Sequence, residues 1–127
     1  MSIWCECNPN PCGKQVGDCA VRAIAIALDL EWHEAYIMLC DAGYEACDLP
    51  NSDAVWSSVL RQHGFRRHVV PDSCPDCYNV ADFAYDHPNG IYVLGFSGHV
   101  ATIIDGILYD SWDSSCEIPI FYWSRED

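Results

Sequence analysis

With 127 residues, half of them hydrophobic, the chain is long enough for one domain with a substantial core and too apolar for disorder. Nineteen acidic residues against six basic ones give a net charge of -13, which excludes a nucleic-acid or anionic-membrane surface, because phosphate binding needs clustered Lys and Arg. No run approaches the ~20 apolar residues of a membrane span, and no basic-then-apolar leader is present, so a soluble, cytoplasmic protein is expected.

Nine cysteines would suit a disulfide scaffold in a secreted chain, but the number is odd and the core needs no staples, so they read as free thiols in a reducing cytoplasm. Residues 1–16, with Cys5, Cys7, Cys12, Pro9, Pro11 and Gly13, show no apolar period and read as an arm leading into the single domain 1–127. From Cys19 to Leu28 the chain is apolar except for Arg22, the mark of a helix buried nearly all round, with Asp18 as its expected N-cap. Asp29 is the expected cap of a second helix in which Trp32, Ala35, Tyr36, Leu39 and Cys40 share one face, with Gly43 as its end. Pro50-Asn51-Ser52 is a turn and cap for a third helix with Val55, Trp56, Val59 and Leu60 inward, closed by Gly64.

Phe65 to Val70 reads as a strand, and Pro71 to Pro75 as a loop leading into Cys74-Pro75-Asp76-Cys77. Asn79 caps a fourth helix with Val80, Phe83 and Ala84 inward, ending before Pro88. Beyond Gly90 the pattern turns to β-branched and aromatic runs at 91–94, 100–104, 107–109 and 118–123, and Asp105-Gly106 between two of them is a hairpin signal. Helices first and a mostly antiparallel sheet second make the chain α+β.

Two distant stretches converge on one chemistry. Cys19 opens a buried helix, where the positive end of the macrodipole favours thiolate, although Asp18 opposes this and a cationic partner is needed. With Asp105-Gly106 at the tip, Ile104 faces Ile107, which sets Ala101 opposite Asp110 and His99 opposite Trp112, all four on one side of the hairpin. His99 and Asp110 are then diagonal neighbours, so the carboxylate can fix the imidazole tautomer and raise its pKa. Nucleophile, base and orienter are the parts of acyl transfer. Trp112 is expected to shield the imidazole–carboxylate pair.

The order Cys, His, Asp in these settings resembles papain-like cysteine peptidases, particularly small bacterial and phage-borne proteins related to bacteriocin-processing peptidases. Gly17-Asp18-Cys19-Ala20 is similar to the Asp-Cys-Gly/Ala signature, Ser97-Gly98-His99-Val100 to the His strand, and Asp110-Ser111-Trp112 to Asn-Ser-Trp with Asp in place of Asn. The whole chain also resembles proteins of gut Firmicutes and their phages, which implies a bacterial or phage-infected host. The resemblance implies a papain-like fold and a hydrolase acting on a peptide or amide bond of a protein or peptide substrate, by proteolysis, deamidation or transamidation. It implies Cys19 as nucleophile, His99 as general base and acid, and Asp110 as orienter. The usual oxyanion side chain is a Gln six residues before the cysteine, whereas Gln15 is four before it, with Asn10 as the other candidate and the Cys19 N–H as a second donor.

The acidity, small size and displaced Gln15 leave a rival reading, a weak or inactive papain-like binding or inhibitor protein, phage-encoded and acting on a host protein. No cofactor is implied. A zinc site would need Cys5 and Cys7 to join Cys74 and Cys77, but with no second CxxC the pair Cys74-x-x-Cys77 reads as a turn with free thiols. His33, His63, His68 and His87 read as solvated.

Overall fold

A computed structural model describes residues 3–70 and 78–125. The elements run β1 (Trp4–Glu6), α1 (Cys19–Leu28), α2 (Trp32–Ala46), α3 (Asp53–Gln62), β2 (Phe65–Val69), α4 (Val80–Asp86), β3 (Ile91–Phe96), β4 (His99–Ile104), β5 (Ile107–Asp110) and β6 (Phe121–Arg125). The strands form one sheet in the order β1-β5-β4-β3-β6-β2, antiparallel at every pairing except the parallel β1–β5 edge. The fold is thus α+β with a mixed sheet. Among the described residues no helix is long and apolar enough to cross a membrane.

Strand alternation divides the core. Val93, Val100 and Trp123 face α1, α2 and α3 and pack with Ile24, Leu39, Trp56, Leu60 and Phe65, while Leu94, Ala101, Ile103 and Leu108 face α4 and pack with Val80, Phe83 and Ala84. The small residues of α1 let its backbone approach β4, where the buried Thr102 hydroxyl donates to the Ala23 carbonyl at 2.9 Å. A hydroxyl buried in an apolar layer has to find such a partner, and this one fixes the depth of α1 on the sheet.

Both hairpins that carry the site are set by two-residue turns. Asp105 (φ 50°) and Gly106 (φ 78°) are both left-handed, the conformation of a type I′ turn, and the pairs Ile104–Ile107, Ile103–Leu108 and Thr102–Tyr109 have the expected register. Ser97-Gly98 joins β3 to β4, with Gly98 at φ 76° and Phe96 opposite His99.

Several local expectations need correction. The arm is not wholly irregular: β1 pairs with β5, and Cys7 N–H donates to the Asp110 carbonyl at 2.9 Å. Asp18 makes no side-chain cap; its carboxylate turns to Arg22, four residues on, and to the Trp32 indole N–H at 2.9 Å. Asp29 ends α1 in a left-handed turn, and α2 is capped by Glu31, whose reciprocal box with Glu34 satisfies the first-turn N–H groups. Gly43 lies buried inside α2, where a Cβ would stand 2.8 Å from the Asp48 carbonyl oxygen, and the helix runs on to Ala46 with Cys47 as its left-handed C-cap. Tyr36 is exposed rather than inward. The last strand begins at Phe121, not Ile118. His87 stacks on Phe83 with centroids 4.0 Å apart and His68 on Tyr122 at 4.8 Å, so both belong to an aromatic cluster rather than to solvent.

Candidate active site

Cys19 stands half-buried at the start of α1, and His99 at the start of β4. Their side chains are hydrogen-bonded to each other. His99 Nε2 lies 2.7 Å from Asp110 Oδ2, which leaves Nδ1 as the ring nitrogen for Cys19. The diagonal placement read from the hairpin register thus brings Asp110 to His99, and the packing of α1 on β4 brings Cys19 to its other side. Asp113, the next carboxylate along the chain, instead accepts from Ser115 N–H at 3.1 Å.

Hydrogen bonding to His99 lowers the Cys19 pKa against the opposing effect of burial, with help from the imidazolium charge, the Val100 N–H and Arg22. For His99, burial alone would depress the pKa, but the hydrogen bonds and charges of Asp110 and Cys19 outweigh it and raise it to about 9. Both shifts favour a thiolate–imidazolium pair. Asp18, which on its own would oppose a thiolate, is matched by the buried Arg22 one turn along the same helix.

Asp110 is buried at 3% exposure and fully engaged. Its Oδ1 accepts from Ser111 N–H at 2.8 Å, and its Oδ2 accepts from the buried Ser114 hydroxyl at 2.6 Å as well as from His99. The Trp4 indole N–H donates to its backbone carbonyl at 3.0 Å. Ser114 was invisible to pattern reasoning because it lies in an irregular stretch; the only hint was a serine four residues beyond Asp110. Trp112 stands over the imidazole with centroids 5.0 Å apart, and Phe96 lies nearly parallel to it at 5.6 Å. Trp112 is itself 43% exposed, so it covers the ring from the solvent side.

Neither oxyanion side-chain candidate is presented at Cys19. Gln15 is exposed and does not line the cavity beside the thiol. Asn10 is buried but committed: its Oδ1 accepts from Cys12 N–H at 2.9 Å and its amide points to Asp18 at 3.4 Å. The arm folds back on the Asp18–Arg22–Trp32 cluster through Asn10 and through Val16, whose carbonyl accepts from Arg22. The donor that remains at the helix start is the Cys19 backbone N–H.

The cavity, of about 290 Å³, is bounded by Cys19 and His99, by Gly17 and Gly98, by Trp56, Phe96 and Phe121, and by Asn51 and Asp53 at the start of α3. Gly95 is required here, because a Cβ would collide with the Phe121 ring. Asn51 had read only as part of a turn and Asp53 carried no signal; that α3 brings both to the cavity is a tertiary fact. Cys74 and Cys77 lie outside the described residues, and among the described residues no group of three or more His, Cys, Asp or Glu is arranged to hold a metal ion. No protein-family model, curated protein or solved structure matches the chain.

Proposed function

We propose that this protein is a papain-like cysteine hydrolase that cleaves a peptide or amide bond through Cys19, His99 and Asp110. The observation that carries the reading is the unbroken chain of hydrogen bonds from the Cys19 thiol through His99 to the buried Asp110 carboxylate, at the edge of a cavity. The Cys19 thiolate attacks the carbonyl carbon, and the developing oxyanion takes the Cys19 N–H. His99 gives its proton to the leaving amine as the C–N bond breaks, leaving a thioester. Water then attacks the thioester, passes a proton to His99, and releases the carboxylate and the thiol. An amine in place of water gives transamidation, and a glutamine side chain as substrate gives deamidation.

The test is alkylation of Cys19 by iodoacetamide across pH, with the modified site read by mass spectrometry. An activated pair gives a rate plateau beginning well below the ~8.5 of an ordinary thiol; a single rise centred there overturns the reading. The positions of Gln15 and Asn10 favour one alternative, a papain-like protein that binds a peptide or host protein without turning it over. It predicts the same alkylation plateau but no acyl-enzyme with activated esters.

A further inference from the structure

We propose that the cavity beside Cys19 is a subsite for a basic side chain, lysine or arginine, close to the attacked carbonyl, with Asp53 as the residue that reads its charge. The inference names a substrate class for the site above and rests on that reading for the chemistry, though not for the binding. Three observations carry it. The Trp56 and Phe121 rings, stacked with centroids 5.9 Å apart and 13° between planes, join Phe96 in an apolar lining suited to an aliphatic stem or a guanidinium plane. Asp53 Oδ1 accepts from Trp56 Nε1 at 3.0 Å, which leaves Oδ2 for a ligand, and neither ion pair of the described residues involves Asp53. As imidazolium and thiolate, His99 and Cys19 cancel, so Asp53 sets the sign of charge within the cavity.

Size and surroundings agree. At about 290 Å³ the cavity is at the small end for ligand sites and holds one long side chain rather than a peptide segment. An added Cβ at Gly17 or Gly98 would meet nothing within 4 Å, so a substrate backbone can approach the thiol there. Arg67 lies over Phe121 at 4.5 Å but does not line the cavity. The net charge of -13 draws cationic chains toward the site.

The experiment measures binding to Cys19→Ala, which removes turnover from the readout. Fluorescein-labelled peptides identical except for lysine, norleucine or glutamate at one position are compared by polarisation. Lysine is expected to bind about tenfold tighter than norleucine, and glutamate weakest, with the advantage falling as salt is added. Asp53→Asn, in the same background, should bring the lysine-to-norleucine ratio to within about twofold. Equal affinities for the three peptides, or a ratio that survives Asp53→Asn, overturns the proposal. If Asp53→Asn does not fold, the salt titration decides: a lysine advantage that is insensitive to salt overturns it as well. Iodoacetamide kinetics on the wild-type protein are run in parallel, so that loss of the subsite and loss of the activated thiol are separate results.

Discussion

On the Nε2 side of His99 both oxygens of Asp110 accept hydrogen bonds and its carbonyl is held twice, whereas on the side of Cys19 the walls include two glycines and open space. The support is buried and saturated; the reacting side is half-exposed and sparsely bonded. A site that must hold a base within a fraction of an ångström and still admit a substrate needs this asymmetry. On the proposed hydrolase reading, rigidity lies where nothing has to move and open space where a carbonyl has to enter.

The comparison can be broken first at its strongest point. Asp110→Asn keeps the shape but offers an amide where a carboxylate fixed the tautomer, and turnover should fall by about 10³ to 10⁴-fold. Stopped-flow hydrolysis of an activated ester, with alkylation at neutral pH as a second readout, checks it. Ser114→Ala removes one donor from a buried carboxylate. It should cost about 1–3 kcal/mol in urea unfolding, lower turnover about tenfold and move the upper limb of the pH–rate profile upward, because a carboxylate with one donor fewer holds the imidazolium more strongly, a shift that a purely structural role would not produce.

Titration sharpens the same contrast. The His99 pKa is raised from 6.5 to about 9, so its contribution to stability is complete below pH 6.5 and is lost as pH rises to 9. The Cys19 pKa is lowered from 9.0, so its contribution is present above pH 9.0 and is lost as pH falls. In the wild-type protein these dependences offset each other where they overlap. Cys19→Ala deletes the second, and with it the part of the His99 shift that Cys19 causes, leaving Asp110 to hold the ring; its stability should therefore decline from pH 6.5 upward and level off before pH 9, by about 1–2 kcal/mol relative to the wild type. Urea midpoints at the two ends of that range give the answer. The smallest effect is expected from Gln15→Ala, which should leave kcat within about twofold; a loss of about 10²-fold would restore Gln15 as the oxyanion donor.

The parts legible in the sequence were those governed by near neighbours. Asp105-Gly106 dictated the turn, the turn dictated the register, and the register put His99 beside Asp110. Ser52 and Asn79 were recognised as caps because each stands directly before an apolar-periodic stretch, and their side chains accept from the N–H groups of Val55 and Asp82. Asp18 was misread because a cationic residue one turn on, Arg22, and an indole fourteen residues away, Trp32, compete with the N–H groups a cap would serve. The β1 pairing could not be read at all, since a three-residue strand with no alternation gives no sign of a partner more than a hundred residues away. Asn51 and Asp53 reach the cavity only through the packing of α3 against α1 and the sheet.

That same edge pairing sets when the site can exist. Trp4 and Asp110 are 106 residues apart in the chain, and Cys19 and His99 are likewise joined only through long-range packing. Closing so long a loop is entropically costly until the intervening strands have formed, so these contacts draw on the assembled sheet rather than on near neighbours. A chain still emerging from the ribosome carries its cysteine long before it carries His99 and Asp110, so the hydrogen-bonded chain that lowers the thiol's pKa has no parts to form from until β4 and β5 are made.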